Sequence, residues 1–408
     1  MVDHASGINI KMDLNDTEMK TAVIIDVYSR GSYHEVINLT YLMMIAALYD
    51  KVTYIAASSS CAVMSDLLHS FGFDKDNITF VGKTFAEEEV KKVSANKFGE
   101  RLKYSWLKYY YYMKQPSDVD VFYNNGLFLA ISLIYWFSFG KRNKVFSLCH
   151  TEMEVIDPRT VSRFSKKVSS WYFGWIFRHT ILPEKFTFIL LSDNMKEYFR
   201  KFISPRNADR IQAIEHPYLR LHNPLIGKLE VPSSGHNIKI GLPSSLKADH
   251  GIEFFRQILQ ETRNSDVTFY AISLVAEKIV SPNFVDLGKK DQLLDYNVYS
   301  AYINCMDFLL FPYDIESYKL TASGAFLEAI WNNIPIIALH NNYFDSFFKK
   351  YGPMGYLFDN KEDLITFINN RIADKKECTS FRNNMKKAKD ALHPERIKEK
   401  LQTIIEQS

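Results

Sequence analysis

The four cysteines, Cys61, Cys149, Cys305 and Cys378, are far apart and form no CxxC pair, and three of them sit in apolar surroundings. They read as buried thiols of a reducing compartment. No apolar run reaches the ~20 residues that span a bilayer. The longest, GLFLAISLIYWFSFG over 126–140, reads as a buried helix. The first twenty residues are polar and acidic, with no basic start and apolar core, so they read as a loose leader and not as a secretory signal. Charge of one sign is also missing: 50 Lys and Arg face 47 Asp and Glu, a net charge of +3, which gives no global field for a polyanionic partner. The first strand is followed by YSRGSYHE and not by GxGxxG, and GxxxxGK[ST] is absent. Hydride transfer on a dinucleotide and P-loop ATP hydrolysis therefore recede.

What is present is alternation. TAVIIDVY, KVTYIAA and ITFVG are strand-like runs separated by helical patterns, and DVDVFYNN, KVFSLCH, FTFILLS and IQAIEHP follow. This is a doubly wound α/β domain. A stretch rich in Pro, Gly and Ser, PYLRLHNPLIGKLEVPSSGH over 217–236, interrupts the pattern. A second α/β unit then begins at NIKIGLP, in which IPIIAL and GYLFD read as successive strands. At 408 residues the chain exceeds what one core usually holds, so two domains are expected. We place a leader at 1–20, an N-terminal domain at 21–225, a C-terminal domain at 226–380 and a terminal helix at 381–408. Two Rossmann-like domains of this kind face a central cleft lined by the carboxyl-edge loops of both sheets.

Within the second domain, SGAFLEA (323–329) lies between the strand DFLLF and the strand PIIAL. Ser323-Gly324 therefore opens a helix at the carboxyl edge of a sheet. Unpaired N–H groups and the positive end of the helix dipole suit that position to phosphate, and glycine permits close approach; an ordinary serine cap that binds nothing is the alternative.

The segment LLFPYDIESYKLTASGAFLEAIWNNIPIIAL, together with IGLPSSLKADHGIEFFRQIL upstream, resembles the nucleotide-sugar half of glycosyltransferases of the GT-B fold, closest to those of bacterial surface-polysaccharide assembly. The resemblance covers about residues 238–340. It implies that Ser323 and Gly324 meet the donor diphosphate and that Glu328 holds the ribose. It further implies that Tyr318 and Lys319 meet phosphate or sugar, that Lys247 is the cation facing the pyrophosphate, and that Ser245 and Tyr313 line the same nucleotide-sugar site. His250 stands where the family often has a lysine before Gly251, and Leu320 stands where retaining members carry a first glutamate, so retention or inversion stays open.

An inverting transferase needs a general base near the acceptor hydroxyl. His150 and Glu152 in FSLCHTEME, and His34 in SRGSYHEV, lie just past strands of the first domain and are the candidates, with Glu35 beside His34. No convincing acidic pair for a metal appears, DVDV at 118–121 reading as a strand entry, so metal independence and no cofactor are expected. Residues 162–185 and 102–115 mix basic and aromatic side chains, which suits peripheral contact with an anionic membrane. The expected protein is a cytoplasmic, peripheral transferase that uses a nucleotide-sugar and a saccharide or lipid-linked acceptor, with no nucleic-acid partner. The alternatives are a nucleotide-sugar epimerase of the same fold and an inactive binding subunit.

Overall fold

The computed structural model describes residues 19–29, 35–73, 76–84, 98–124, 128–138, 140–150, 152–157, 164–232, 238–247, 251–288, 294–313, 318–372 and 378–408. In the N-terminal domain the elements run β1 (Thr21–Asp26), α1 (Glu35–Leu48), β2 (Lys51–Ala57), α2 (Ser58–Ser70), β3 (Ile78–Lys83) and α3 (Phe98–Met113). They continue with β4 (Asp120–Tyr123), α4 (Phe128–Phe137), β5 (Val145–Cys149), α5 (Phe164–His179), β6 (Phe186–Leu190), α6 (Asp193–Phe199) and β7 (Ile211–Ala213), with a 3-10 turn at Glu152–Ile156. The seven strands form one sheet in the order β3-β2-β1-β4-β5-β6-β7, and every pair is parallel. Parallel strands are covered on both faces, which is why TAVIID and FTFIL are almost wholly apolar and buried. Right-handed crossovers put helices on opposite faces according to the direction in which the strands are laid down. So α1 and α2 cover one face, and α3, α4 and α5 cover the other.

The C-terminal domain repeats the plan: β8 (Ile238–Leu242), α7 (Ile252–Glu261), β9 (Val267–Ala271), β10 (Phe284–Asp286), α8 (Tyr296–Asn304), β11 (Phe308–Phe311), α9 (Gly324–Asn332), β12 (Ile336–Leu339), α10 (Asn342–Tyr351), β13 (Gly355–Phe358) and α11 (Lys361–Asn370). Its six-stranded sheet has the order β10-β9-β8-β11-β12-β13. Both sheets thus reverse direction once, between β1 and β4 and between β8 and β11, and these are the points where ligands bind in open parallel sheets.

Two sequence readings are corrected. The strands IPIIAL and GYLFD do not follow directly: α10 lies between them, capped by Asn341, whose Oδ1 accepts from the N–H groups of Tyr343 at 3.0 Å and Phe344 at 2.9 Å. Parallel neighbours need such a crossover. Among the described residues of 126–140, Ala130, Ile131, Ser132, Ile134 and Ser138 are buried, while Trp136 and Phe137 are exposed.

Beyond β13 the chain forms α12 (Cys378–Leu392) and α13 (Pro394–Gln407), and Pro394 stands at the first helical position, where a missing N–H costs nothing. α13 returns to the N-terminal domain, where Lys400 pairs with Asp193 at 2.9 Å and Ser408 Oγ meets Thr187 Oγ1 at 2.9 Å. One hydrophobic cluster runs from the N-terminal sheet through Tyr218, Leu221 and Val231 of the connecting segment to Leu309 and Phe326. A second, containing Phe254, Ile258, Leu364 and Ile368, fills the outer face of the C-terminal sheet. Among the described residues no helix is long and apolar enough to cross a membrane.

Candidate functional site

The loops after β8 and β11 are locked together at the C-terminal switch point. Gly251 begins α7 with φ +77°, and a Cβ there would lie 1.8 Å from the Pro312 carbonyl oxygen. Only glycine lets α7 start so close to the end of β11. Tyr313 is buried and donates its hydroxyl to Ser244 Oγ, Tyr299 donates to the Pro243 carbonyl at 3.1 Å, and Ser245 Oγ meets Ser273 Oγ at 3.0 Å. Of the residues assigned here from sequence, Ser245 and Tyr313 therefore hold the loops, while Lys247 is exposed at their rim.

Ser323 caps α9: its Oγ accepts from the Phe326 N–H at 3.2 Å, and its side chain is buried. Gly324 is the first helical residue; it is exposed, and nothing lies within 4 Å of where its Cβ would be. The start of α9 is thus a capped helix terminus with an open approach. Tyr318 has φ +59°, a left-handed conformation that costs a non-glycine residue energy. Its ring packs on Tyr313 at 4.6 Å and, near-parallel, on Phe344 at 6.4 Å. That aromatic stack fixes the loop running into Ser323.

The same loop reaches the first domain. The Lys319 ammonium lies 5.6 Å from the centre of the Tyr198 ring, and Thr321 donates to Glu154 in the 3-10 turn at 152–156. Tyr198 in turn donates to Asp157 at 2.7 Å. This turn follows β5 and His150, so the carboxyl edges of the two sheets face each other here. His150 is buried at the end of β5, its ring 6.4 Å from that of His216. Glu152 begins the 3-10 turn. His34 and His250 lie outside the described residues.

Glu328 is buried one turn inside α9. Its carboxylate accepts from Tyr218 and, at 3.0 Å, from Asn332 Nδ2; Tyr296 also hydrogen-bonds it. Burial raises its pKa above the ordinary carboxylate range, and the donors Tyr218, Tyr296 and Asn332, with the more distant Arg220, only partly offset this. Tyr218 stacks on Trp331 with the rings 28° apart, and its hydroxyl is pushed far up by burial and by Glu328. Sequence reasoning assigned His216 to the linker and passed over Tyr218 and Tyr296. The signal for Tyr218 was EHPY, an aromatic and an imidazole at the start of the connection, and Tyr296 lies in the aromatic run DYNVYSAY.

The switch point of the first sheet carries a buried polar network that was also missed. Asp26, at the end of β1, accepts from Ser29 Oγ and Tyr54 at 2.8 Å and from Asn38 Nδ2 at 2.9 Å. Lys108 donates to the Asn124 carbonyl at 2.8 Å. Burial raises the Asp26 pKa, with Ser29 and Lys108 opposing. The network ties β1, α1, β2, α3 and the end of β4 together beneath the loop that follows β1. The acidic DVDV run behaves as a strand entry: Asp120 starts β4 and accepts from Tyr49 at 2.7 Å.

No protein-family model matches the chain, and no curated protein does. Solved structures match it over nearly its whole length. WaaG, a glycosyltransferase involved in lipopolysaccharide biosynthesis, is 14% identical with a TM-score of 0.54, covering 94% of this chain and 99% of its own. A structure described as trehalose-6-phosphate from E. coli bound with UDP-2-fluoro glucose is 9% identical with a TM-score of 0.60, covering 95% and 99%. A Listeria monocytogenes structure whose name assigns it as a UDP-N-acetylglucosamine 2-epimerase is 12% identical with a TM-score of 0.50, covering 95% of each. At these identities the likeness establishes the fold: the chain has the two-domain GT-B architecture.

Proposed function

We propose that the chain is a glycosyltransferase that moves a sugar from a nucleotide-sugar donor to a polysaccharide or lipid-linked saccharide acceptor, without a metal ion, at the cytoplasmic face of a membrane. The observation that carries this reading is the open, capped start of α9 at Ser323-Gly324, set at the switch point and held against the first domain by Thr321 and Lys319. In the transfer, the acceptor oxygen bonds to the anomeric carbon as the bond from that carbon to the diphosphate oxygen breaks. Charge grows on the diphosphate, and fixed N–H groups stabilise it without reorganising. The N–H groups of Gly324 and Ala325, with the Lys247 ammonium, are suited to that task.

In an inverting reaction the acceptor proton passes to a base on the first domain. We assign His150, which follows β5, or Glu152, which opens the turn whose Glu154 meets Thr321; His34 is the further candidate. Glu328 remains our candidate for the ribose, and a ribose hydroxyl that reaches its carboxylate competes with Tyr218, Tyr296 and Asn332.

The test is release of nucleoside diphosphate from UDP-, GDP- and related sugars, with and without saccharide acceptors and with EDTA present. Acceptor-dependent release that EDTA leaves unchanged, and that Gly324→Asp abolishes, is the expected result. Epimer formation or free-sugar release without an acceptor would replace this reading with the epimerase. Donor binding without turnover across a broad acceptor panel would make the chain a binding subunit.

A further inference from the structure

Four of the five tryptophans in the chain sit on one flank of the N-terminal domain, and all four are exposed: Trp106 on α3 at 56%, Trp136 on α4 at 45%, and Trp171 and Trp175 on α5 at 73% and 44%. Phe137 and Ile181, at and just beyond the ends of α4 and α5, are exposed as well. The three helices already bury an apolar side against the sheet, through Tyr104 and Tyr112, Ile131 and Ile134, and Phe173, Ile176 and Phe177. The outer aromatics are therefore not needed by the core. Right-handed crossovers place α3, α4 and α5 on the same face. Exposed large aromatics gathered on one face mark an interaction site.

Charge decides its partner. The stretches 98–114, 128–144 and 164–179, which hold these helices, contain nine Lys and Arg residues besides the buried Lys108, against a single acid, Glu100. The chain as a whole is nearly balanced, 50 against 47, so the bias is local to this flank. Lys114 and Arg142 are exposed at the ends of α3 and of the loop after α4, and the Lys114 ammonium stacks over Tyr110 at 4.4 Å. Tryptophan belongs at the headgroup level of a bilayer, and basic residues beside it are drawn to anionic lipid.

We infer that the α3–α4–α5 flank is a docking surface for an anionic lipid bilayer. This deepens the proposed function, since its purpose rests on a lipid-linked acceptor. Helices in a parallel α/β fold run against the strands, so Trp136, Phe137, Trp175 and Ile181 lie toward the amino edge of the sheet. The candidate site is at the carboxyl edge, and docking leaves its mouth open.

The experiment is flotation of the full chain with vesicles of phosphatidylglycerol and phosphatidylcholine, compared with phosphatidylcholine alone, without nucleotide. Binding to the anionic vesicles, weakened by high salt, with a blue shift of tryptophan fluorescence, is expected. Trp106→Ser combined with Trp171→Ser, and separately Lys114→Glu with Arg142→Glu, should each lower partitioning at least about tenfold. Both pairs replace exposed side chains, so melting temperatures should stay near that of the wild type. No binding to anionic vesicles, or unchanged binding by both variants, overturns the inference. So does a self-association in light scattering that the tryptophan pair abolishes, which would assign the flank to a second copy. Because no donor is present, failure here leaves the nucleotide site untouched, and failure of the transferase assay leaves a positive vesicle result standing.

Discussion

Glu328 is the residue whose chemistry departs most from its appearance in the sequence. Expected from the resemblance to hold a ribose, it is a buried carboxyl whose pKa is raised by desolvation in spite of Tyr218, Tyr296 and Asn332. A carboxyl with a folded pKa above its unfolded one contributes its stability at low pH and loses it as pH rises through the folded value. Glu328→Gln should therefore become more stable relative to the wild type as pH goes from about 4 to 8, by about 1.4 kcal/mol per unit of upward shift. Melting temperatures across that range check this, and parallel curves for the two proteins would contradict it. Tyr218→Phe removes a donor from the same buried carboxylate and should cost about 1–3 kcal/mol in chemical denaturation. That Ser323 caps a helix could be read from SGAF alone, because capping is local. That Glu328 meets Tyr218, 110 residues earlier, could not, because the pair depends on how the two domains close on the connecting segment.

At the scale of elements, the start of α9 and the start of α7 make opposite demands on glycine. Gly324 has open space around its Cβ position and no left-handed φ. Gly324→Ala should therefore leave stability unchanged or raise it by up to about 1 kcal/mol, while a diphosphate held close to the backbone loses affinity about tenfold or more; calorimetric titration with nucleoside diphosphates separates the two effects. Gly251→Ala puts a methyl into the Pro312 carbonyl at a left-handed φ and should destabilise by more than about 3 kcal/mol, read as a loss of soluble protein or a large fall in melting temperature. α10 was missed although Asn341 before NYFDSFFKKY and Gly352 after it are cap residues, and parallel neighbours need a crossover.

Across the whole molecule, the two-sheet plan was readable because parallel strands are short continuous apolar runs that alternate with longer helical patterns. The strand order was not, since adjacency is set by pairing between distant segments. The bridge from Lys319 and Thr321 to Tyr198 and Glu154 was equally hidden, as was the return of α13 to the first domain. These contacts bring the loop before α9 against the turn that follows β5. In the proposed reaction Ser323-Gly324 receives the donor diphosphate. The direct measurement is thermal-shift stabilisation by UDP, GDP, CMP and their sugar conjugates, without metal, in the wild type and in Ser323→Asp. A shift selective for one nucleoside diphosphate, absent in the variant, is the predicted result, and no shift with any of these nucleotides would return the start of α9 to an ordinary helix cap.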